Sequence, residues 1–324
     1  MSIEEMLEDA AEYIRSHDDF LILTHVSPDG DALGSSLAAA HIVEKLGKSF
    51  TLVNDDPIPE KFRFLPYADR FRLPGEVERS FVHVLSFDCA DRNRLGESGA
   101  LIAAEATLLN VDHHATNDRF GTCNVVDIEA AATAQVVYYL AHALQVEIDE
   151  AMATCLYTGL LTDTGGFRYN NTTSEVHRLA TDLLSRGVEP YRVADRVLET
   201  ITWPRLQLTR EVLSTIERDP TGRIAWLTVP YEMLKRTGAI EEDVEGLVNY
   251  ARNVEGVEVG ILFREIPGGK VKVSFRSKYY VDVGRIALEF GGGGHPRASG
   301  CTVESSLDEI KRKVISRVKE VLST

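Results

Sequence analysis

The chain of 324 residues has few cysteines, and their spacing is not that of a structural site. The four cysteines include no C-x-x-C pair, which argues against a disulfide framework and against a thiolate zinc site. We therefore expect a protein of the reducing cytoplasm.

The sequence also lacks long apolar runs and a basic N-terminal segment. No stretch of 18 uncharged apolar residues occurs, and acidic residues stand near the N-terminus, where a secretory signal carries basic ones. These two absences predict that the chain has no membrane-spanning helix and is not exported.

A surplus of positive charge is absent as well. The formal net charge of −15 argues against a protein that coats long nucleic acids through a broad cationic surface. Residues 206–324 carry 18 Lys and Arg against 17 Asp and Glu, whereas residues 1–205 carry 17 against 33. The acidity therefore belongs to the first part of the chain, and the length by itself predicts two domains.

In the first part, short apolar runs alternate with helical patterns, which is typical of a mainly parallel sheet. Strands are predicted at residues 20–23, 50–53, 81–87 and 106–111, and helices at 32–46, 130–143, 150–161 and 174–186. Further on, strands are predicted at 223–230, 257–266 and 270–277, and a helix at 306–322. The fold class is thus α/β. A mainly parallel sheet flanked by helices in residues 1–187 is joined by a linker region, 188–205, to a smaller α/β domain, 206–324.

Acidic and histidine residues follow several of these apolar runs. They lie in four motifs: His25-Val-Ser-Pro-Asp29-Gly-Asp31, Asp88, Asp112-His113-His114 and Asp163-Thr-Gly. Taken singly, each motif is weak, since Asp-Gly-Asp is usually a turn and a paired His is usually a hydrogen-bonded side chain. The first motif is not an EF-hand loop, because position 12 is Ala40, and it is not a Walker A loop, because no Lys precedes Ser35.

Taken together, the motifs predict a metal site. Ligands of parallel sheets lie beyond the carboxyl ends of the strands, so the four motifs are expected to converge there. Four carboxylates in one cleft cannot all ionise cheaply, and two divalent cations would balance their charge. A mixed carboxylate and imidazole set suits Mn²⁺, with Mg²⁺, Co²⁺ or iron as substitutes.

The ordered motifs resemble those of the DHH family of phosphoesterases. The segment Ser274-Phe-Arg276-Ser277, followed by Gly291-Gly-Gly293-Gly294-His295-Pro-Arg297-Ala-Ser299-Gly300, resembles the nucleotide-binding domain associated with that family. The motifs span residues 24 to 300, so the resemblance covers nearly the whole chain. Length and domain pairing are most similar to the branch of small oligoribonucleases that also remove the 3′-phosphate of adenosine 3′,5′-bisphosphate.

The resemblance implies a role for each motif residue. One metal is assigned to His25, Asp29 and Asp88, and the other to Asp31, Asp88, His113 and Asp163, with Asp88 as the bridge. His114 is assigned to the phosphoryl oxygens of the substrate, where an imidazole stabilises developing charge. Asp112 is expected to orient a neighbouring imidazole.

The second domain is expected to hold the substrate. Strand alternation in residues 270–278 places Lys270, Lys272, Ser274, Arg276 and Lys278 on one face. Lysines there are typical of a solvated edge strand, whereas a guanidinium at position 276 favours phosphate binding. The glycine run lets backbone amides approach an anion closely. The predicted substrate-binding residues are Arg276, Ser277, Gly293, Gly294, His295, Arg297 and Ser299.

These features favour a two-metal phosphohydrolase of short nucleotides. Its substrates would be oligoribonucleotides of about two to four residues, adenosine 3′,5′-bisphosphate, or the linear product of a cyclic dinucleotide. No long nucleic acid or membrane partner is expected, and the resemblance implies a homodimer. Alternatives are a pyrophosphatase, a polyphosphatase or a RecJ-type exonuclease of the same superfamily. A non-catalytic nucleotide sensor is a further alternative, although such a protein should have lost metal ligands and all seven positions are intact here.

Overall fold

The computed structural model describes residues 2–323, so Met1 and Thr324, the outer ends of the predicted domains, lie outside the described residues. The chain forms two compact units that divide between Thr200 and Ile201, within the segment 188–205 predicted as a linker. Across residues 2–323, none of the helices combines the length and the apolarity needed to cross a bilayer.

Within the described part of the first unit, five strands form one parallel sheet. They are β1 (Phe20–Leu23), β2 (Phe50–Val53), β3 (Phe81–Phe87), β4 (Ile102–Asp112) and β5 (Cys123–Val126). Their order across the sheet is β2-β1-β3-β4-β5. The chain therefore passes from β2, on one side of β1, to β3, on the other side. In parallel sheets, ligands are expected beyond the carboxyl ends of the strands at such a reversal, here between β1 and β3.

Helices cover one face of this sheet. They are α1 (Ile3–Ser16), α2 (Gly30–Lys45), α3 (Thr133–Ala143), α4 (Glu150–Asp163), α5 (Ser174–Ser185) and the short α6 (Pro190–Ala194). Alternate residues of β1 face opposite sides: Phe20 and Ile22 pack in the helix-covered core, and Leu21 and Leu23 pack in a smaller cluster on the other face. Burial on both faces explains why this strand is a continuous apolar run in the sequence.

Helices α2 and α4 approach each other closely at two glycines. A Cβ atom on Gly34 would lie 2.5 Å from the carbonyl oxygen of Cys155, and one on Gly159 would lie 2.6 Å from an Asp31 carboxylate oxygen. The contact brings the start of α2 and the end of α4 to the same edge of the sheet. The absence of a side chain at Gly159 also leaves room for the Asp31 carboxylate.

The second unit contains a mixed sheet. Its strands are β6 (Glu217–Arg218), β7 (Ile224–Val229), β8 (Val259–Ile266), β9 (Lys270–Ser277), β10 (Gly293–His295) and β11 (Ala298–Glu304), in the order β10-β11-β9-β8-β7-β6. Its helices are α7 (Trp203–Leu213), α8 (Tyr231–Thr237), α9 (Val248–Asn253), α10 (Val283–Glu289) and α11 (Leu307–Ser323). Among the described strands of this second unit, only β7 and β8 pair in parallel. Helices α10 and α11 pack on one face, and α7, α8 and α9 on the other.

The predicted α/β class is confirmed, and several boundaries differ from the prediction. Helix α3 begins at Thr133 rather than at 130, because residue 132 is extended, with φ −162° and ψ 153°. Strand β4 begins at Ile102 rather than at 106. The prediction omitted helices α1 and α6 to α10, and strands β5, β6, β10 and β11. Helix α1 has a clear apolar face, formed by Met6, Leu7, Ala10, Ala11 and Ile14. That periodicity was available in the sequence.

We expect Gly34→Ala to destabilise the first unit, although Gly to Ala in a helix normally stabilises by about 0.5–1 kcal/mol. The added Cβ meets the backbone carbonyl of Cys155, so the two helices must separate, at a cost of roughly 1–3 kcal/mol. Gly75→Ala is the control, since nothing lies within 4 Å of its Cβ position. Thermal unfolding of both variants measures the effect, and an unchanged or raised midpoint for Gly34→Ala would contradict this packing argument.

Candidate metal centre

The polar motif residues lie where three neighbouring strands end. His25 follows β1, Asp88 follows β3, and Asp112 is the last residue of β4. At Asp88 the backbone turns sharply, with φ +56°, a left-handed conformation that Asp tolerates better than most residues. The Asp88 amide donates to the carbonyl of Val111 at 3.0 Å, which ties the turn to β4.

Helix ends complete this edge of the sheet. Asp29 is the N-cap of α2, and its carboxylate accepts the backbone N–H groups of Asp31 and Ala32 at 3.0 and 3.1 Å. Asp31 is fully buried. Its two carboxylate oxygens accept the N–H groups of Thr133 and Ala134 at 2.6 and 2.9 Å. The first turn of α3 thus stabilises the Asp31 charge.

His25 and His113 both turn Nε2 toward this cluster, because Nδ1 of each ring is held by a backbone carbonyl. His25 Nδ1 lies 2.8 Å from the carbonyl oxygen of Val26, and His113 Nδ1 lies 3.2 Å from that of Ala130. A carbonyl only accepts, so in both rings Nδ1 carries a proton, and whenever the ring is neutral Nε2 presents a lone pair. This is the tautomer and the orientation that histidine metal ligands adopt.

Asp88 lies at the centre of the cluster. Its Oδ2 is 3.5 Å from His25 Nε2, and its Oδ1 is 3.6 Å from His113 Nε2. Around it, ligand atoms within 4.8 Å of one another form three groups: His25 with Asp29 and Asp88; Asp31 with His113 and Asp163; and Asp88 with His113 and His114. The two oxygens of Asp88 therefore face two different histidines.

His114 is held in a different way from His113. Its Nδ1 lies 2.8 Å from Asp112 Oδ1 and 3.6 Å from Asp88 Oδ1. The other Asp112 oxygen accepts from the Asn117 amide at 2.6 Å, and Oδ1 also accepts the His113 backbone N–H at 2.8 Å. Asp112 is thus a fixed acceptor that orients the His114 ring. Its hydrogen bond engages Nδ1, the His114 nitrogen that lies near Asp88.

The electrostatics of the cluster favour a cation. Burial, together with the charges of Asp88 and Asp163, raises the pKa of Asp29 to about 6 and raises that of Asp31 well above its usual range. Burial opposes ionisation of Asp88 too, but the His25 hydrogen bond and the His113 and His114 charges outweigh it and hold its pKa below the ordinary value. Burial lowers the pKa of His113, yet the carboxylates of Asp163, Asp88 and Asp31 raise it overall.

The donor set fits divalent metal ions. His113 Nε2 is buried without a hydrogen-bond partner, although Asp163 Oδ2 lies only 3.2 Å away. A buried nitrogen lone pair that faces three carboxylates is repelled by them, and a cation bound between the nitrogen and the carboxylates removes that repulsion. The residues present therefore fit metal ions bound by carboxylate and imidazole.

Sequence reasoning missed the residues that support this cluster. Thr133 donates its hydroxyl to Asp88 Oδ1 at 2.8 Å, in addition to its N–H contact with Asp31. Asp56 accepts the N–H of Ser27 at 2.6 Å and so holds the loop between His25 and Asp29. Asp55 and Asp56 come just after β2. A search for polar residues that directly follow an apolar run would have found them. No comparable signal marks Thr133.

In the second unit, two of the predicted substrate-binding residues lie in one row across the sheet. The register pairs Arg276 with Ala298 and Ala298 with His295. Partners in antiparallel strands share a face, so Arg276 and His295 project from the same side. That side is opposite to the one where Val271, Val273 and Phe275 pack against α10 and α11.

The remaining predicted residues of this unit make backbone contacts. Ser277 and Ser299 are buried and donate their hydroxyls to the carbonyls of Val281 and Val283 at 2.6 and 2.7 Å. Arg297 Nη1 donates to the Val281 carbonyl at 2.8 Å. Gly293 and Gly294 belong to β10, and at Gly294 the φ of +135° and the Ala298 carbonyl, 2.6 Å from a Cβ position, require glycine.

Comparison with known families gives two matches. Residues 19–160 match the N-terminal domain of the DHH family, and residues 227–323 match the DHHA1 domain. The first range contains all of the predicted metal ligands except Asp163, and the second contains Arg276 and the glycine-rich segment.

Several whole proteins are similar along nearly their full length. The "Bifunctional oligoribonuclease and PAP phosphatase NrnA" of Thermus thermophilus is 40% identical over 303 residues, 93% of this chain and 90% of that protein. The protein of the same name from Bacillus subtilis is 25% identical, over 90% of this chain and 91% of that protein. A crystal structure of an exopolyphosphatase-related protein from Bacteroides fragilis superposes with a TM-score of 0.91 at 26% identity, over 99% and 98% of the two chains.

The likeness of the sequence motifs to the DHH family and to its oligoribonuclease branch is thereby confirmed. Both domains of the family are present, in the order that the motifs predict. The chain belongs to the DHH family of phosphoesterases and carries a DHHA1 domain after its DHH domain.

Proposed function

We propose that this protein is a two-metal phosphohydrolase that degrades oligoribonucleotides of about two to four residues to mononucleotides and removes the 3′-phosphate of adenosine 3′,5′-bisphosphate. The names of the Thermus and Bacillus relatives support both activities. Linear dinucleotides from cyclic dinucleotides belong to the same substrate class. We infer that residues 1–187 carry out the cleavage and residues 206–324 bind the substrate.

One observation carries the proposal: the two carboxylate oxygens of Asp88 face two histidine nitrogens, 3.5 and 3.6 Å away. A carboxylate in that position can share its oxygens between two ions. His25, Asp29 and Asp88 would hold one ion, and Asp31, Asp88, His113 and Asp163 the other. Two Mn²⁺ ions are the preferred pair, with Mg²⁺ or Co²⁺ as substitutes.

The protein residues around the ions have separate tasks. When bound, two divalent ions supply positive charge at the phosphoryl group and make an attacking water more acidic. Thr133 and the first turn of α3 fix the carboxylates of Asp88 and Asp31, so neither has to reorient during the reaction. Asp112 orients His114 and stabilises positive charge on its ring, and His114 then interacts with the phosphoryl oxygens of the substrate.

Residues of the DHHA1 domain would hold the substrate phosphate. Arg276 and His295, in one row of the sheet, are the proposed phosphate contacts, with Arg297, Gly293 and Gly294 beside them. Ser277 and Ser299 would support them by fixing the segment 281–283. A homodimer stays a prediction from the family resemblance.

A second candidate, a nucleotide sensor without activity, is disfavoured. Such a protein has no need of buried carboxylates that face one another, since their repulsion costs stability. All seven predicted cleft residues lie at the same edge of the sheet, and the supporting contacts of Asp31, Asp88 and Asp112 are intact.

Asp88→Ala is expected to abolish hydrolysis and to lower the metal content, because it removes the ligand that both ions would share. The loss should exceed the roughly 10–100-fold typical of residues that only support a metal ligand. Turnover of a dinucleotide with Mn²⁺ and elemental analysis measure the two effects. Asp69→Asn, which changes an exposed carboxylate, is the control. Retention of substantial activity in Asp88→Ala would refute the dinuclear assignment.

His113→Ala and His114→Ala are expected to differ in metal content. His113 presents Nε2 to three carboxylates and should be needed for metal binding, whereas His114 is turned toward Asp112. We expect His114→Ala to keep near wild-type metal while kcat falls by about 10²–10³-fold, as for loss of an oxyanion donor. Equal metal loss in the two variants would remove the distinction.

Short substrates should be preferred, and binding should depend weakly on salt. With a net charge of −15, the protein offers cations only locally, at Arg276, Lys278 and Arg297. Contact with two or three phosphates predicts a slope of log K against log salt of roughly −1.4 to −2.1. Arg276→Ala and His295→Ala should raise KM more than they change kcat.

A series of 5′-labelled RNAs at two salt concentrations tests this prediction, with kcat/KM expected to peak at two to four nucleotides. Lys270→Ala, on the same strand but exposed at its far end, is the control variant. Efficient degradation of strands of twenty or more nucleotides with a steep salt slope would instead favour a RecJ-type exonuclease.

A further inference from the structure

The loop directly after β9 presents two adjacent tyrosines that the proposed function does not use. Tyr279 is 75% exposed and Tyr280 is 58% exposed. Both follow Arg276 by only three or four residues, so the Cα atom of Tyr279 lies at most about 11 Å from that of Arg276. An aromatic ring here is within reach of a nucleotide whose phosphate is bound at Arg276.

A buried carboxylate fixes the backbone of this loop. Glu258 is only 4% exposed, and its oxygens accept the N–H groups of Tyr279, Tyr280 and Val281 at 3.1, 2.8 and 3.0 Å. The Glu258 carbonyl accepts a further N–H, that of Lys278, at 2.9 Å. Because the loop is fixed before any ligand binds, little conformational entropy is lost on binding.

The same loop is bonded to the segment that carries Arg297. The Ser277 amide donates to the Arg297 carbonyl at 3.1 Å, and the Arg297 side chain donates to the Val281 carbonyl at 2.8 Å. The Val283 amide donates to the Pro296 carbonyl at 2.8 Å. The tyrosines and the proposed phosphate contacts therefore stand on one connected piece of backbone.

The two tyrosines differ in how they are held. The hydroxyl of Tyr280 accepts from Arg223, whose guanidinium lies 5.9 Å from the ring centroid. Tyr280 is thus tied to the start of β7. Tyr279 is the more exposed of the two. Glu258 accepts its backbone N–H, as it does that of Tyr280. A rigid, amphipathic ring with two side-chain torsions costs little entropy when a flat ligand packs on it.

We propose that Tyr279 is a stacking platform for a nucleobase of the substrate. This deepens the proposed function, on which it rests, by naming a residue that recognises the base rather than the phosphate. Stacking accepts every base, because each has a π face, so the platform would favour nucleotides over other phosphoesters without selecting a sequence.

Binding of two ligands to the full chain in EDTA, where metal-dependent turnover is absent, tests the proposal. The ligands are 5′-phosphorylated diadenylate and its abasic counterpart, which has the same phosphates and no bases. We expect Tyr279→Ala to weaken diadenylate binding about tenfold and to leave binding of the abasic ligand unchanged, as loss of one base stack predicts. Tyr279→Phe and Tyr279→Trp should retain the wild-type affinity.

Tyr231→Ala is the matched control, since Tyr231 is an exposed tyrosine of the same unit. It follows the carboxyl end of β7, whereas the loop of Tyr279 and Tyr280 is tied to the start of that strand. An unchanged affinity of Tyr279→Ala for diadenylate, or an equal loss for both ligands, would overturn the proposal. A similar loss in Tyr231→Ala would overturn it as well.

Turnover by the wild-type protein with Mn²⁺ separates this proposal from the proposed function. If wild type hydrolyses neither the dinucleotide nor adenosine bisphosphate, the proposed function fails, while the affinities measured in EDTA still decide the role of Tyr279. If wild type hydrolyses both and Tyr279→Ala binds diadenylate normally, only the stacking role fails.

Discussion

Mutual repulsion among four clustered carboxylates, of which Asp31 and Asp88 are buried, is the constraint around which the first unit is built. Asp29, Asp31, Asp88 and Asp163 lie in one crevice with three imidazoles, and burial raises the pKa of most of these carboxyl groups. Such a cluster is costly without compensation. The protein compensates with backbone N–H groups at the starts of α2 and α3, with the Thr133 hydroxyl, and with histidine nitrogens. A divalent ion would complete this compensation, and the donor set fits such an ion.

The architecture serves this constraint through helix ends and glycines. Helix α2 begins at the crevice, α3 aims its first turn at Asp31, and α4 ends there at Asp163. The three ends can meet because Gly159 leaves space for the Asp31 carboxylate and Gly34 allows α2 and α4 to pack closely. The side chain of Asn171 adds a tie, since it donates to the carbonyls of Ala131 and Asp163 at 3.1 Å each. Packing between these helices thus determines where the Asp31 and Asp163 carboxylates lie.

In the proposed function, the second unit would bind an anion in a chain that is strongly acidic overall. The residues proposed for this, Arg276 and His295, stand in register across antiparallel strands rather than on a broad positive surface. The buried polar side chains of Glu258, Ser277 and Ser299 form hydrogen bonds that fix the loops beside these residues. If this unit binds the substrate as proposed, its contribution would come from rigid loops more than from the number of charges.

The sequence by itself determined the family and the α/β class, and it indicated which polar residues gather at one edge of the sheet, because those depend on residue types and their order along the chain. Apolar runs fix where β1, β2 and β3 lie, and the polar residue after each run marks the active edge of the sheet. Tertiary structure decided which nitrogen meets which oxygen. The carbonyl of Ala130, which is 17 residues from His113 along the chain, turns Nε2 of His113 to the carboxylates. His114 turns Nδ1 to Asp112, which the nearby Asn117 holds in place. The late start of α3, the support from Thr133 and the fixing of Tyr279 by Glu258 arise in the same way. Each rests on a hydrogen bond between segments that only the folded chain brings together.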